Sequence, residues 1–242
     1  MSAIKLSYDL HIHSCLSPCG DDDMLPSNIV GMAALKELDV IAVTDHNSCK
    51  NCPAVMKLAE AYGIVAIPGM ELTTEEEVHV LCLFPELSKA MEFDEFVHER
   101  LMPFPNNEEV FGKQLVVDED DNVIGSEPYL LINATSISFE EVYDCVTKFD
   151  GIMIPAHIDK STTSLIANLG FIPDDSRFTC AEIKHKGFLE DILEKHPYLK
   201  NCNIIHDSDA HYLEYINEPE NFIEAESKSV QDVLKALITV KI

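Results

Sequence analysis

The sequence predicts an α/β fold built on parallel strands, with a barrel favoured over an open sheet. Two observations lead there. Short apolar runs alternate with segments of helical periodicity, and the apolar runs end repeatedly in His, Asp or Glu. At 242 residues the chain is long enough for a substantial core.

The first run ends in Asp9-Leu10-His11-Ile12-His13. On a strand, side chains repeat with period two, so both imidazoles share a face. Residues 28–38 carry apolar residues at helical spacing behind Pro26-Ser27, a favourable helix start. Residues 39–43 read as a buried strand delivering Thr44-Asp45-His46 at its end. Residues 53–62 read as a helix with Gly63 as its stop. The strand at 64–67 leads to Pro68-Gly69-Met70-Glu71, and 78–84 is an apolar strand interrupted by His79.

A helix is expected over 139–149, then a strand from 151 ending at Pro155-Ala156-His157. Strand–helix alternation repeats at 178–183 and 187–196. Residues 202–205 lead into Ser208-Asp209-Ala210-His211, and 230–239 is a closing helix. The stretch 92–138 breaks this rhythm, with a hairpin of 114–117 and 123–124 turning through 118–122. The expectation is one domain over 1–242, with an insertion at about 92–138 placed over the mouth of the site. The acidic run 118–121 reads as a solvated turn.

The formal charge of −26 argues against non-specific binding to nucleic acid or anionic membrane. No run approaches the roughly 18–20 apolar residues of a membrane span. No basic segment followed by an apolar one suggests a signal peptide, so a cytoplasmic protein is expected. Eight cysteines then read as reduced thiols, with Cys82 and Cys145 inside apolar patterns as core residues.

Singly, each histidine is a weak signal. Together, His11, His13, His46, Glu71, His79, His157, Asp209 and His211 fall at five separate strand ends. Burying so many polar groups without a shared purpose is costly, whereas imidazole and carboxylate together suit zinc, manganese or iron.

These motifs resemble the polymerase and histidinol phosphatase (PHP) family of metal-dependent phosphoesterases. The similarity rests on Asp9-Leu-His-Ile-His-Ser14, Ile41-Ala-Val-Thr-Asp-His46, Pro68-Gly-Met-Glu71, Val78-His79, Pro155-Ala-His157 and Asp207-Ser-Asp-Ala-His211. They stand in the family's order from residue 9 to 211. The resemblance implies a distorted seven-stranded β/α barrel with two or three divalent ions at the strand ends. It implies that His11, His13 and Asp209 hold a first ion, and that Glu71 bridges it to a second bound by His79 and His157. His46 and His211 would hold a third, with Asp45 orienting a neighbour. After His13 the chain departs from its relatives: Ser17-Pro18-Cys19-Gly20-Asp21 is one residue longer, and Cys19 or Asp21 would complete the third site.

The implied activity is hydrolysis of a small phosphomonoester or nucleotide by metal-activated water in a di- or trinuclear site. The negative charge and the insertion both favour a small phosphorylated substrate over long nucleic acid. His206, Asp207 and His185 are candidates for protonating the leaving oxygen, and Asp45 joins His206 as a candidate catalytic residue. Lys160 and Arg177 could contact phosphate. Cys15, Cys19, Cys49 and Cys52 flank two metal motifs and would either form a separate metal or redox centre or have no joint role. The alternative function is a non-catalytic or regulatory metal-binding module.

Overall fold

The computed structural model describes residues 3–240, so the first two and last two residues of the expected 1–242 domain lie outside the description. In chain order the elements begin β1 (Ile4–Ile12), α1 (Pro26–Leu35), β2 (Val40–Val43), α2 (Cys52–Tyr62), β3 (Val65–Ala66), β4 (Gly69–Thr73), β5 (His79–Leu83) and α3 (Leu87–His98). They continue with α4 (Glu108–Phe111), β6 (Leu115–Val117), β7 (Val123–Ser126), α5 (Phe139–Thr147), β8 (Ile152–Pro155) and α6 (Leu165–Leu169). The last are β9 (Cys180–Glu182), α7 (Leu189–Lys195), β10 (Asn203–Ile205), β11 (Phe222–Ala225) and α8 (Val230–Ile238).

The first third folds as the alternation predicts. β1, β2 and β3 pair in parallel, with α1 and α2 as the crossovers that parallel pairing requires. Pro26 opens α1, where its missing N–H costs nothing. Gly63 closes α2 at φ +65°, its N–H donating to the carbonyls of Ala59 and Glu60. Ser138 and Glu141 form a reciprocal capping box at the start of α5.

Beyond β3 the strictly parallel expectation fails. β4, β5 and β8 form an antiparallel sheet, and Glu71 lies inside β4 rather than at a strand end. For β4 and β5, connection length is the reason. Residues 74–78 are too few for a parallel crossover, which needs about a dozen. β11, which the sequence reading did not contain, pairs antiparallel with β1, and β9 pairs in parallel with β10.

Hydrogen-bonded strands therefore form four small sheets among the described residues, rather than one continuous seven-stranded barrel. Side chains occupy places where ladder bonds would run. Asp207 Oδ1 accepts the Leu10 N–H at 2.6 Å, Asp9 Oδ1 accepts the Ser208 N–H at 3.0 Å, and Glu182 Oε2 accepts the His157 N–H at 3.1 Å. Isolated bridges, Ile12 to Ala210 and His46 to Glu71, complete the links around the ligand cluster.

β5 is apolar on both faces, which explains its continuous hydrophobic run. Val80 and Cys82 pack with Phe93 and Val97 of α3 and Val142 and Cys145 of α5. Leu81 and Leu83 pack with Leu6, Tyr8 and Leu10 and with Val233 and Leu237 of α8.

The β6–β7 hairpin forms where expected, although α3 already occupies the start of the 92–138 stretch. That stretch rests on the loops after β1 and β2. The Leu115 N–H donates to Cys15 O at 3.0 Å, Asn51 bonds both Leu115 and Val117, and Leu16, Leu101 and Leu131 share an apolar cluster. Among the described residues, no helix is long and apolar enough to cross a membrane.

Gly69 marks a close approach of β4 to β5, since a Cβ there would stand 2.5 Å from the Cys82 carbonyl oxygen. Gly69→Ala should destabilise the fold by about 1–3 kcal/mol, the usual cost of overpacking. Thermal unfolding checks this, and an unchanged midpoint would show that β4 can shift freely.

Candidate metal centre

Glu71 is the centre of the cluster. It is 1% exposed, and five imidazoles face its carboxylate. His79 Nδ1, His157 Nε2 and His11 Nε2 lie 2.8, 3.0 and 3.3 Å from Oε1. His46 Nδ1 and His13 Nε2 lie 3.0 and 3.4 Å from Oε2. Asp209 Oδ1 approaches the Nε2 atoms of His11 and His13 at 3.5 and 3.4 Å. Four overlapping groups each bring their ligand atoms within 4.8 Å of one another: His11–His13–Asp209, His11–Glu71–His157, His46–Glu71–His79 and His13–His46–His211.

Hydrogen bonds at the back of the rings fix which nitrogen faces the centre. Glu182 Oε2 stands 2.9 Å from His11 Nδ1 and can only accept, so His11 carries its proton there and turns the Nε2 lone pair inward. Ser17 gives its hydroxyl proton to Asp45 Oδ1 at 2.7 Å. Its oxygen must then accept from His13 Nδ1 at 2.9 Å, which frees the Nε2 of that ring. Asp45 also accepts from the Ser14 backbone and hydroxyl at 2.7 and 2.6 Å, so it organises the loop rather than the centre itself. Glu182 and Ser17 were missed in the sequence because each looks like an ordinary polar residue.

The chemistry of this donor set suits divalent cations. Inward-facing nitrogen lone pairs and carboxylate oxygens share one buried space, and Glu71 Oε2 and His46 Nδ1 meet at 3.0 Å without forming a hydrogen bond. His157 and Asp209 adopt left-handed backbone, at φ +29° and +52°, a strain of about 1–3 kcal/mol each that the surrounding bonds maintain.

Without cations the charges lean on one another. Burial favours neutral Glu71, but the imidazoles of His79, His11 and His46 outweigh it and hold the carboxyl well below its ordinary range. Burial likewise opposes protonation of His11, yet Glu182, Glu71 and Asp209 raise it well above the ordinary value. Against the same burial, Glu71 and Cys19 raise His46 to about 10. Burial lowers His13 well below its ordinary value.

Cys19 Sγ lies 3.1 Å from His211 Nε2. Burial of the thiol opposes ionisation, but His46 and His211 pull it down to about 6. Asp21 points elsewhere, its Oδ1 accepting the Asp23 N–H. The other loop cysteines do not join Cys19. Cys15, Cys49 and Cys52 are buried, and burial pushes the Cys15 thiol up to about 12.

Lys160 Nζ sits 3.0 Å from Asp209 Oδ2, beside the cluster. His206 shares a cavity with Asp209 and bonds the Ile183 carbonyl through Nδ1 at 2.6 Å. His185 bonds Asp159 at 2.8 Å. Arg177 is not brought to the cluster. Its guanidinium pairs with Asp144 at 2.8 Å, stacks on Tyr143 and lines a different cavity, because that carboxylate and ring hold it on the surface.

A family model of the PHP domain matches residues 9–237. The chain belongs to the PHP-domain family. This PHP domain shares its fold with the lesion-specific endonuclease EndoQ of Pyrococcus furiosus, at a TM-score of 0.67 and 21% identity, covering 97% of this chain and 56% of that one. Endonuclease Q complexed with a 27-mer duplex substrate, an abasic lesion at its active site, matches at a TM-score of 0.66 and 21% identity, with the same coverages of 97% and 56%. A candidate metal-dependent phosphoesterase of Bifidobacterium adolescentis matches at 0.60 and 18% identity, covering 96% of both chains. An uncharacterized protein of Methanocaldococcus jannaschii is 32% identical over 100 residues, covering 38% of this chain and 58% of its own length. This PHP domain thus spans little more than half the length of EndoQ and of the archaeal relative. The family and these neighbours include metal-dependent hydrolases.

The duplex complex corrects the expected partners. A small phosphorylated substrate, with long nucleic acid excluded, followed from the net charge of −26 and the insertion. Endonuclease Q has this fold and takes a 27-mer duplex. Net charge is a sum over the whole surface, whereas a nucleic acid meets only the field near the site.

Glu182→Gln should weaken metal binding about 10–100-fold, since it removes the anion that orients His11. Titration calorimetry checks this, and wild-type affinity would show that packing alone orients the ring. A second expectation concerns pH. His46 is raised by folding, so its contribution to the stability of the metal-free protein is complete below about 6.5, its unfolded value. That contribution disappears as pH rises through about 10. Chelated protein should lose thermal stability across this window, and manganese should suppress the loss because ligation uses the neutral ring. A flat profile in chelator would contradict it.

Proposed function

We propose that this PHP domain is a metal-dependent hydrolase of phosphoester bonds in nucleic acid. One observation carries the hydrolytic reading: nitrogen and oxygen lone pairs from six separate segments converge on Glu71 and Asp209 within 4.8 Å groups. The fold shared with an endonuclease that takes a lesion-containing duplex supports the substrate class. The chain is taken as one domain over 1–242, with 92–138 packed on the loops that carry Cys19 and His46.

In this reading His11, His13 and Asp209 hold one cation, and Glu71, His79 and His157 hold a second. His46 and His211, with His13 and Cys19 beside them, hold a third. Bound cations would neutralise phosphate oxygens as Lewis acids and make water acidic enough to attack phosphorus. Lys160 places a further positive charge beside Asp209 for the same phosphate. Asp45, through Ser14 and Ser17, fixes the His13 loop against movement. His206 uses Nδ1 to hold the Ile183 carbonyl, so proton transfer to a leaving oxygen would occur at Nε2.

The test is cleavage of end-labelled DNA and RNA oligonucleotides, intact or abasic, with manganese and with a chelator. Chelator-sensitive cleavage is expected. His11→Ala and Glu71→Ala should each lower it about a hundredfold or more while lowering metal content. Full activity in either variant would overturn the site assignment. Silence from metal-loaded protein would favour a non-catalytic metal-binding module.

A further inference from the structure

Most placed cations of this acidic chain sit against carboxylates: Lys36 faces Glu218, Lys89 faces Glu92, Lys195 faces Asp191, Lys228 faces Asp39 and Arg177 faces Asp144. Lys184 and Lys186 differ. Lys184 Nζ donates to the Ser208 carbonyl, and Lys186 Nζ donates to Asn221 Oδ1 at 2.7 Å. Neither ammonium has a carboxylate within salt-bridge distance, and each keeps further donors.

The loop that carries them is held in place. Asp159 accepts the backbone N–H groups of Lys184 and His185 at 2.7 and 2.9 Å and binds the His185 ring at 2.8 Å. Both lysines line a cavity of about 540 Å³ together with His206, Asp209, Tyr215 and Asn217. Asp209 belongs to the metal cluster as well, so the cavity opens directly off the centre.

One further feature suits a nucleotide. The Tyr215 ring is 62% exposed and meets the ring of Tyr212 edge-on at 5.7 Å. An exposed aromatic beside cations is how proteins hold a base and its phosphate together. The carboxyl residues Asp207, Asp209 and Glu220 also line the cavity and set a limit, leaving room for one phosphate rather than a long backbone track.

We propose that this cavity is the subsite for the nucleotide adjoining the reacting phosphate. Lys184 and Lys186 take the neighbouring phosphodiester, and Tyr215 carries its base. The proposal rests on the reading of the cluster as a nucleic-acid hydrolase, and DNA and RNA share the chemistry it uses.

Steady-state hydrolysis of short DNA and RNA oligonucleotides, set beside bis(p-nitrophenyl) phosphate, tests it in the manganese-loaded chain. The double variant Lys184→Ala/Lys186→Ala should raise KM for oligonucleotides about tenfold. It should also reduce the log–log salt slope by about 0.7, the value for one single-strand phosphate contact. Tyr215→Ala should raise KM about fivefold or more, with Tyr215→Phe restoring it. Hydrolysis of the minimal diester should stay within about twofold in all of them, which also verifies folding and metal loading. Unchanged oligonucleotide KM in these variants would overturn the subsite while leaving the hydrolase reading intact. A wild-type chain that hydrolyses only the minimal diester would overturn both the nucleic-acid substrate and the subsite.

Discussion

A buried carboxylate is the constraint from which the rest of this structure follows. Glu71 is almost fully removed from water, and an isolated charge in that position would be untenable. Its oxygens are answered by imidazoles from β1, the loop after β1, the end of β2, β5 and the end of β8. The antiparallel pairing of β4 with β5 is part of this answer. Glu71 lies opposite Leu81 and Thr73 opposite His79, so Glu71 and His79 are diagonal neighbours on one face. A parallel strand in that place would not bring the two together over so short a connection.

The same requirement explains why the sheets are broken. Asp9, Asp207 and Glu182 bond backbone N–H groups across gaps where strands might otherwise have paired. Glu182 also holds His11, so one carboxylate fixes a strand end and a ring at once. Burial keeps Asp207 well above the ordinary carboxyl range, with Glu182 and Asp9 nearby adding to the effect. The centre and the departure from a continuous barrel are therefore two views of one packing solution. Left-handed backbone at His157 and Asp209 belongs to it too, because those turns aim the side chains inward.

Charge works on two scales in this chain. Over the whole surface it is strongly negative, which discourages long-range capture of polyanions. Near Asp209 the balance is different. Lys160 neutralises part of that carboxylate, and Lys184 and Lys186 are held by neutral oxygens. Divalent ions in the cluster would make the local field more positive.

The amino-acid sequence by itself determined the features that depend on near neighbours. Period-two spacing placed His11 and His13 on one face, helical spacing and Gly63 delimited α2, and the ordered motifs marked the histidines and carboxylates that meet around Glu71. Tertiary structure alone decided the features that depend on residues far apart in the chain. Glu182 supports His11 across 171 positions, and nothing in its local sequence distinguishes it from any other strand residue. The antiparallel course of β4 and β5 depended on the short connection at 74–78, to which the sequence reading attached no strand direction. Arg177 and Lys160 looked alike as candidate phosphate ligands, yet Asp144 holds one at the surface and Asp209 holds the other at the centre. Periodicity is a local property of the backbone, whereas charge pairing is settled only when distant segments meet.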